Sequence, residues 1–154
     1  MLDIPNNSWK SSDVLDNIFG IDEAYERSVE GWLGLIHPDD RRMMADYFTN
    51  EVLGQGRYFD KAYRITRNSD HAERWVYGLG ELEFDEQGLP LKMIGTIQDI
   101  TDQKRAEEAL MESSEFNKQI IESAQEGIIV YDKDLKIIVW NPLMEQLTGL
   151  SAGE

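Results

Sequence analysis

The hydrophobic pattern changes period abruptly near residue 100. From Leu91 to Gln98 the apolar positions alternate as in a strand. Leu91, Met93, Gly95 and Ile97 share one face, and Lys92, Thr96 and Gln98 the other. After Thr101 no Pro or Gly occurs until Gly127, and strong helix formers predominate. A helix is therefore expected over residues 101–124, running roughly 36 Å. Thr101 is suited to cap it, and Asp102 places an acid at the positive end of its dipole. A buried strand is expected to end, and a long exposed helix to begin, at a single hinge.

Ahead of the hinge, residues 1–8 are polar and turn-rich, and Trp9 ends a strand. Val14, Leu15, Ile18 and Phe19 form a helical apolar face between Ser12, a suitable N-cap, and Gly20, a suitable stop. Glu23 to Glu30 is acidic with a thin apolar pattern and reads as a short helix. Trp32, Leu33, Leu35 and Ile36 are expected to bury ahead of His37-Pro38-Asp39-Asp40-Arg41. That run suits a helix start, with His37 at the cap, Pro38 at the first position and two acids in the first turn. A His beside two Asp also invites a metal or acid–base role, but helix initiation accounts for every residue. The helix continues through Met43, Met44, Tyr47, Phe48 and Val52 to Gly54.

Three strands follow, at Tyr58 to Arg67, Arg74 to Phe84 and Leu91 to Gln98, joined by turns at Asn68 to Asp70 and Glu86 to Gly88. Phe59, Tyr63 and Ile65 oppose Asp60, Arg64 and Thr66, with Lys61 out of pattern. Gly78 and Gly80 signal close approach of backbone or ligand. His71 is expected in an exposed loop. Beyond the long helix, Gly127 to Asp132 and Leu135 to Trp140 form a hairpin across Lys133-Asp134, and Asn141 to Gly149 a short helix. Trp140 to Gly149 parallels Trp9 to Gly20, an internal repeat.

Composition narrows the function classes. The 154 residues allow one domain with a sizeable core, or one domain plus a fragment. No apolar run is long enough for a membrane span, and the start lacks the basic and apolar regions of a signal peptide. A formal net charge of −15 argues against nucleic acid and anionic lipid as partners. The absence of cysteine removes disulfides, thiolate metal sites and cysteine-linked chromophores. No phosphate-cradling glycine loop, nucleophile motif or metal spacing is present, so no catalysis is expected of this segment.

Asp99-Ile100-Thr101 with the following Gln103-Lys104-Arg105-Ala106-Glu107-Glu108-Ala109-Leu110 resembles the end of a PAS domain with its C-terminal PAC motif. The resemblance extends through Trp32 to Arg41, Ala62 to Arg67, Arg74-Trp75-Val76 and Asp85 to Gly88, in the family's order and at about its spacing. It implies an α+β fold: a PAS-like antiparallel sheet with helices on one face, then a linker helix, then a hairpin and short helix from a second PAS copy. The expected division is a PAS/PAC domain over 1–100, a linker helix and possible coiled coil over 101–124, and the N-terminal third of a second PAS domain over 125–154. The family places two strands before its first helix. Residues 1–9 have room for one, so an N-terminal strand is expected to be missing, and Gly127 to Trp140 to pair with a PAS sheet, its own or a partner's.

The implied function is a sensory, regulatory module that passes ligand or partner binding through the hinge to a downstream effector, a histidine kinase or diguanylate cyclase elsewhere in the parent chain. The alternative is a ligand-free dimerisation module. Pocket candidates are Ile18, Phe19, Phe48, Phe59, Tyr63, Trp75, Tyr77, Met93 and Ile97. Hinge candidates are Asp99, Ile100, Thr101, Lys104 and Arg105. By resemblance Asp99 would pair with a nearby base, Lys104 and Arg105 being the local choices, while Thr101 fixes the helix start. A covalent flavin is excluded by the lack of cysteine. Haem is disfavoured because His37 caps a helix and His71 sits in a turn. Non-covalent flavin, or a small metabolite or carboxylate held by Arg64 or Arg74, stays open. The expected partner is a second copy, through the PAS body and linker helix, with no nucleic acid or membrane contact by this segment and a cytoplasmic location.

Overall fold

The computed structural model describes residues 1–151. Contacts divide the chain into two units, Met1–Lys104 and Arg105–Glu154. The first is built on a five-stranded antiparallel sheet of β1 (Leu2–Asp3), β2 (Ser8–Trp9), β3 (Phe59–Thr66), β4 (Glu73–Phe84) and β5 (Pro90–Asp99), in the order β2-β1-β5-β4-β3.

The N-terminal strand expected to be missing is therefore present. Two strands fit into nine residues because each is only two residues long and Asp3 closes the turn by accepting the Asn6 N–H at 3.1 Å. Leu2 lies opposite Trp9 on one side and Met93 on the other, so β1 covers the Lys92–Met93 part of the β5 edge. Among the described residues, the segment from Gly127 to Trp140 pairs only with itself.

Three helices precede β3. In α1 (Asp13–Phe19), Ser12 Oγ accepts the Leu15 N–H and Gly20 ends the helix at φ +66°. The short helix expected over Glu23 to Glu30 is corrected. Asp22 turns the chain by accepting the Ala24 N–H, Arg27 is drawn to Asp16 of α1 at 2.9 Å, and α2 (Val29–Leu35) starts only after Ser28 supplies its cap. In α3 (Pro38–Asp46), His37 Nδ1 accepts the Asp39 N–H at 3.3 Å. The helix continues as a π-helical segment, Tyr47–Leu53.

Register sorts the sheet into faces. Phe59, Tyr63, Val76 and Leu82 lie inward and are buried with Phe19, Leu35, Ile36, Met44, Phe48 and Val52 from the helices and their flanks. Lys61 shares the inward register and ends 5.0 Å from the centroid of the Tyr47 ring, which explains its place out of pattern. The close approach signalled by Gly78 is made by the Phe59 ring, since a Cβ there would lie 2.6 Å from Phe59 Cε1. The expectation that β5 is buried is also corrected. It sits mid-sheet, but none of its residues is fully buried and Leu91 and Ile94 stand open on it.

The second unit contains most of α4 (Thr101–Ser123), then β6 (Ile129–Tyr131), β7 (Ile137–Trp140) and α5 (Pro142–Thr148). Like Gly20 after α1, Gly149 after α5 takes a positive φ, +73°. The repeat visible in the sequence is thus a repeat of strand, capped seven-residue helix and glycine stop.

Candidate functional site

Two features of the first unit can do something beyond holding the fold: an apolar cavity between sheet and helices, and the junction of β5 with α4. The cavity measures about 120 Å³. Six of the nine pocket candidates line it, namely Phe19, Phe48, Phe59, Tyr63, Met93 and Ile97. Ile18 instead packs against the core away from the wall. Trp75 and Tyr77 are corrected by register. They oppose Arg64 and Ala62 on the outer face, where the Tyr77 hydroxyl donates to Asp60 at 2.6 Å. Strand alternation was visible in the sequence, but the absolute face of β4 was not.

Trp32 was expected to bury, but its place at the cavity was missed. Its ring meets Phe48, Phe59 and Tyr63 edge to face at centroid distances of 5.4, 6.0 and 6.0 Å. Its Nε1–H donates to the Tyr63 hydroxyl at 3.1 Å. Burial pushes that hydroxyl well above its ordinary range, offset only in part by the Trp32 bond, so Tyr63 stays protonated. The volume bears on cofactors. Pockets for drug-sized ligands run from about 300 Å³ upward, so this cavity is smaller than such sites. His37 is engaged as the α3 cap and the exposed His71 lies in the β3–β4 turn. Among the described residues no cluster of His, Asp or Glu is arranged to hold a metal ion, and no helix is long and apolar enough to cross a membrane.

At the junction, Thr101 is the first helical residue rather than the cap, because its hydroxyl is used across the sheet. Thr101 Oγ1 accepts the Trp75 N–H at 3.0 Å and donates to the Asp99 carboxylate. Asp99 Oδ1 also accepts the Thr101 N–H at 2.9 Å, satisfying one of the free donors at the start of α4. The Ile100 N–H donates to the Trp75 carbonyl at 2.9 Å. The backbone of Trp75 is thus held on both sides by residues that start α4. A base beside Asp99 is Arg74, Nη1 to Oδ2 3.4 Å, a partner that the choice of Lys104 or Arg105 left out. Arg74 comes from the neighbouring strand, and no local spacing could have singled it out. Lys104 Nζ lies 5.8 Å from the centroid of the Trp75 ring, and Arg64 Cζ lies 5.9 Å from it.

Arg64 ties this junction to α3. Its Nε and Nη2 meet the two carboxylate oxygens of Asp40 at 3.0 and 2.6 Å, and Asp40 also accepts the Arg64 backbone N–H. The guanidinium holds the Asp40 carboxyl below its ordinary value of 3.8. A depressed folded-state pKa means that this stabilisation is complete above the unfolded value and is lost as pH falls through the folded one. Asp40→Asn should therefore be clearly less stable than the native chain at neutral pH. In urea titrations the gap should close below about pH 3.8. A gap that persists unchanged in acid would show that Asp40 acts by packing alone.

In the second unit, Asn141 was overlooked although Asn before Pro is a cap signal. Only 1% of it is exposed. Its Oδ1 accepts the N–H groups of Ile128 and Met144, and its Nδ2 donates to the carbonyls of Ile121 and Glu126. One side chain thus joins the end of α4, the start of β6 and the first turn of α5.

The sequence matches the PAS fold family over residues 9–97 and again over residues 115–154. It is 29% identical over 132 residues to the two-component sensor PprA of Pseudomonas aeruginosa, covering 84% of this chain and 14% of that protein. It is 25% identical over 123 residues to the probable diguanylate cyclase DgcE of Escherichia coli, covering 80% and 11%. The chain therefore spans a small part of either relative. A sensory box histidine kinase/response regulator from Burkholderia thailandensis has a similar crystal structure, with TM-score 0.63, 28% identity and coverage of 77% of this chain and 87% of that one. The N-terminal domain of a diguanylate cyclase with PAS/PAC sensor from Marinobacter aquaeolei shares the fold at TM-score 0.60 and 19% identity, covering 67% and 94%.

Proposed function

The chain belongs to the PAS fold family, and on that premise we propose that it is a sensory relay in which a change at the cavity is passed through Asp99, Ile100 and Thr101 to α4. Similarity to signalling proteins supports a sensory, regulatory module. The observation that carries the finer reading is the double hold on Trp75. Its N–H and C=O are both bonded to the residues that start α4, so a shift of β4 against β5 displaces the helix start. Trp75, between Arg64 and Lys104, adds a path from α3 through the Asp40–Arg64 pair.

In this reading residues 1–100 form the sensing body, 101–124 the linker and 125–154 the opening of a second PAS domain. The effector, in the parent chain, is a histidine kinase or a diguanylate cyclase, as the names of the relatives suggest. Leu110, Phe116 and Ile120 are exposed along α4, which supports pairing with the linker of a second copy. The small cavity favours one competing reading, a ligand-free dimerisation module.

Hydrogen exchange tests the relay. Met93→Ala alters the cavity wall and should speed exchange at the Lys104 amide, which donates to Ile100 in the first turn of α4. Thr101→Val leaves the Trp75 N–H without its acceptor, at a cost of about 1–3 kcal/mol. It should abolish the response to Met93→Ala. A first turn of α4 indifferent to Met93→Ala would count against the relay and favour the dimerisation module.

A further inference from the structure

The cavity also restricts what could occupy it, an inference that rests on the sensory reading above. Its volume of about 120 Å³ is the first restriction. An apolar void of about 150 Å³ accepts benzene; this cavity, whose lining includes the exposed Met1, Lys10 and Leu79, is of similar size and holds a single ring and little more. Polarity is the second. Among the described residues no buried side-chain nitrogen or oxygen lacks a hydrogen-bond partner. Of the polar side chains at the wall, Trp32 and Tyr63 are joined with Tyr63 as acceptor, Trp9 Nε1–H donates to the Ser28 carbonyl, and Thr96 stands on the other face of β5 by register. Tyr63 keeps one O–H proton to give, and no buried cation faces the void to offset a ligand's charge. Lys10, which reaches the rim, is exposed. The third restriction is shape. Trp32 meets Phe48, Phe59 and Tyr63 edge to face, and Phe59 meets Tyr63 in the same way at 6.1 Å, so the wall is largely aromatic and suits the packing of a further ring.

We propose that the cavity takes a neutral, apolar, single-ring molecule of about six or seven heavy atoms carrying at most one hydrogen-bond acceptor. Polar metabolites, dicarboxylates and nucleotide cofactors lie outside that class. They are too large or would lose their hydration without replacement partners.

The test is titration of the whole chain with benzene and, in parallel, with acetate as a small anion that the Lys10 rim could attract. Benzene should shift the Met93 and Ile97 methyl resonances saturably and raise Tm, and acetate should do neither. Leu15→Phe, which fills the void from α1, should abolish the benzene response. If that variant does not fold, Val29→Leu should weaken the response by the same route. The proposal is overturned if benzene leaves those resonances unmoved, if acetate binds in its place, or if the response survives in a folded filled variant. Binding of benzene with no change in exchange at Lys104 would support the ligand class and count against the relay. No binding, with the Met93→Ala response intact, would do the reverse.

Discussion

Gly95→Val should destabilise the first unit by about 4 kcal/mol or more, enough to leave a marginally stable domain largely unfolded at growth temperature. Gly95 lies opposite Gly80 in the β4–β5 ladder. A Cβ on it would sit 2.1 Å from the Leu79 carbonyl oxygen and 2.8 Å from Gly80 Cα. Both obstacles are backbone, so no rotamer change relieves the clash, and β4 must part from β5 where the sheet is most continuous. The backbone of β4 also holds the start of α4, so the damage should reach the hinge. Urea unfolding followed by tryptophan fluorescence measures the loss. A variant within about 1 kcal/mol of the native chain would mean that these strands separate locally at little cost.

Phe59→Ala should cost about 3–5 kcal/mol. The ring is 4% exposed and meets Trp32, Tyr47 and Tyr63 at 6.0, 5.5 and 6.1 Å. It also occupies the space over Gly78 that a side chain there would need. The two positions should therefore couple. Gly78→Ala alone is expected to be costly, because its Cβ would lie 2.6 Å from Phe59 Cε1, yet nearly neutral in the Phe59→Ala background. A double-mutant cycle by thermal or urea unfolding measures that coupling. Additive costs would show that Gly78 is required for some reason other than the ring.

Much of this architecture was legible in the chain because it rests on local signals. Ser12 before an apolar face, His37-Pro38 with two acids behind it, and Gly20 after Phe19 each mark a helix boundary through bonds made within a few residues. The change of period at Asp99 to Thr101 located the end of β5 and the start of α4. Alternation placed Phe59, Tyr63 and Ile65 together, and six of the nine residues named for a pocket reach the same cavity.

Pairing across the chain decided the rest. Two-residue strands such as β1 and β2 are too short to show a period, and they exist because β5 offers Leu2 and Asp3 a ladder partner. Asp99 carries no mark of a base in β4, since Arg74 lies 25 residues away and is brought there only by the register of β4 against β5. Trp75 and Tyr77 looked like core, and only that register turns them outward, Trp75 to the Arg64 and Lys104 cations and Tyr77 to Asp60. Cavity volume is the residue left when several elements fail to fill a common space, a property of no single stretch. The sequence by itself determined where most of the longer elements begin and end, through caps, turns and periodicity that act over one or two turns of chain. The tertiary structure alone decided which faces meet and which distant side chains become partners, because register is set by the summed packing of all the strands and helices.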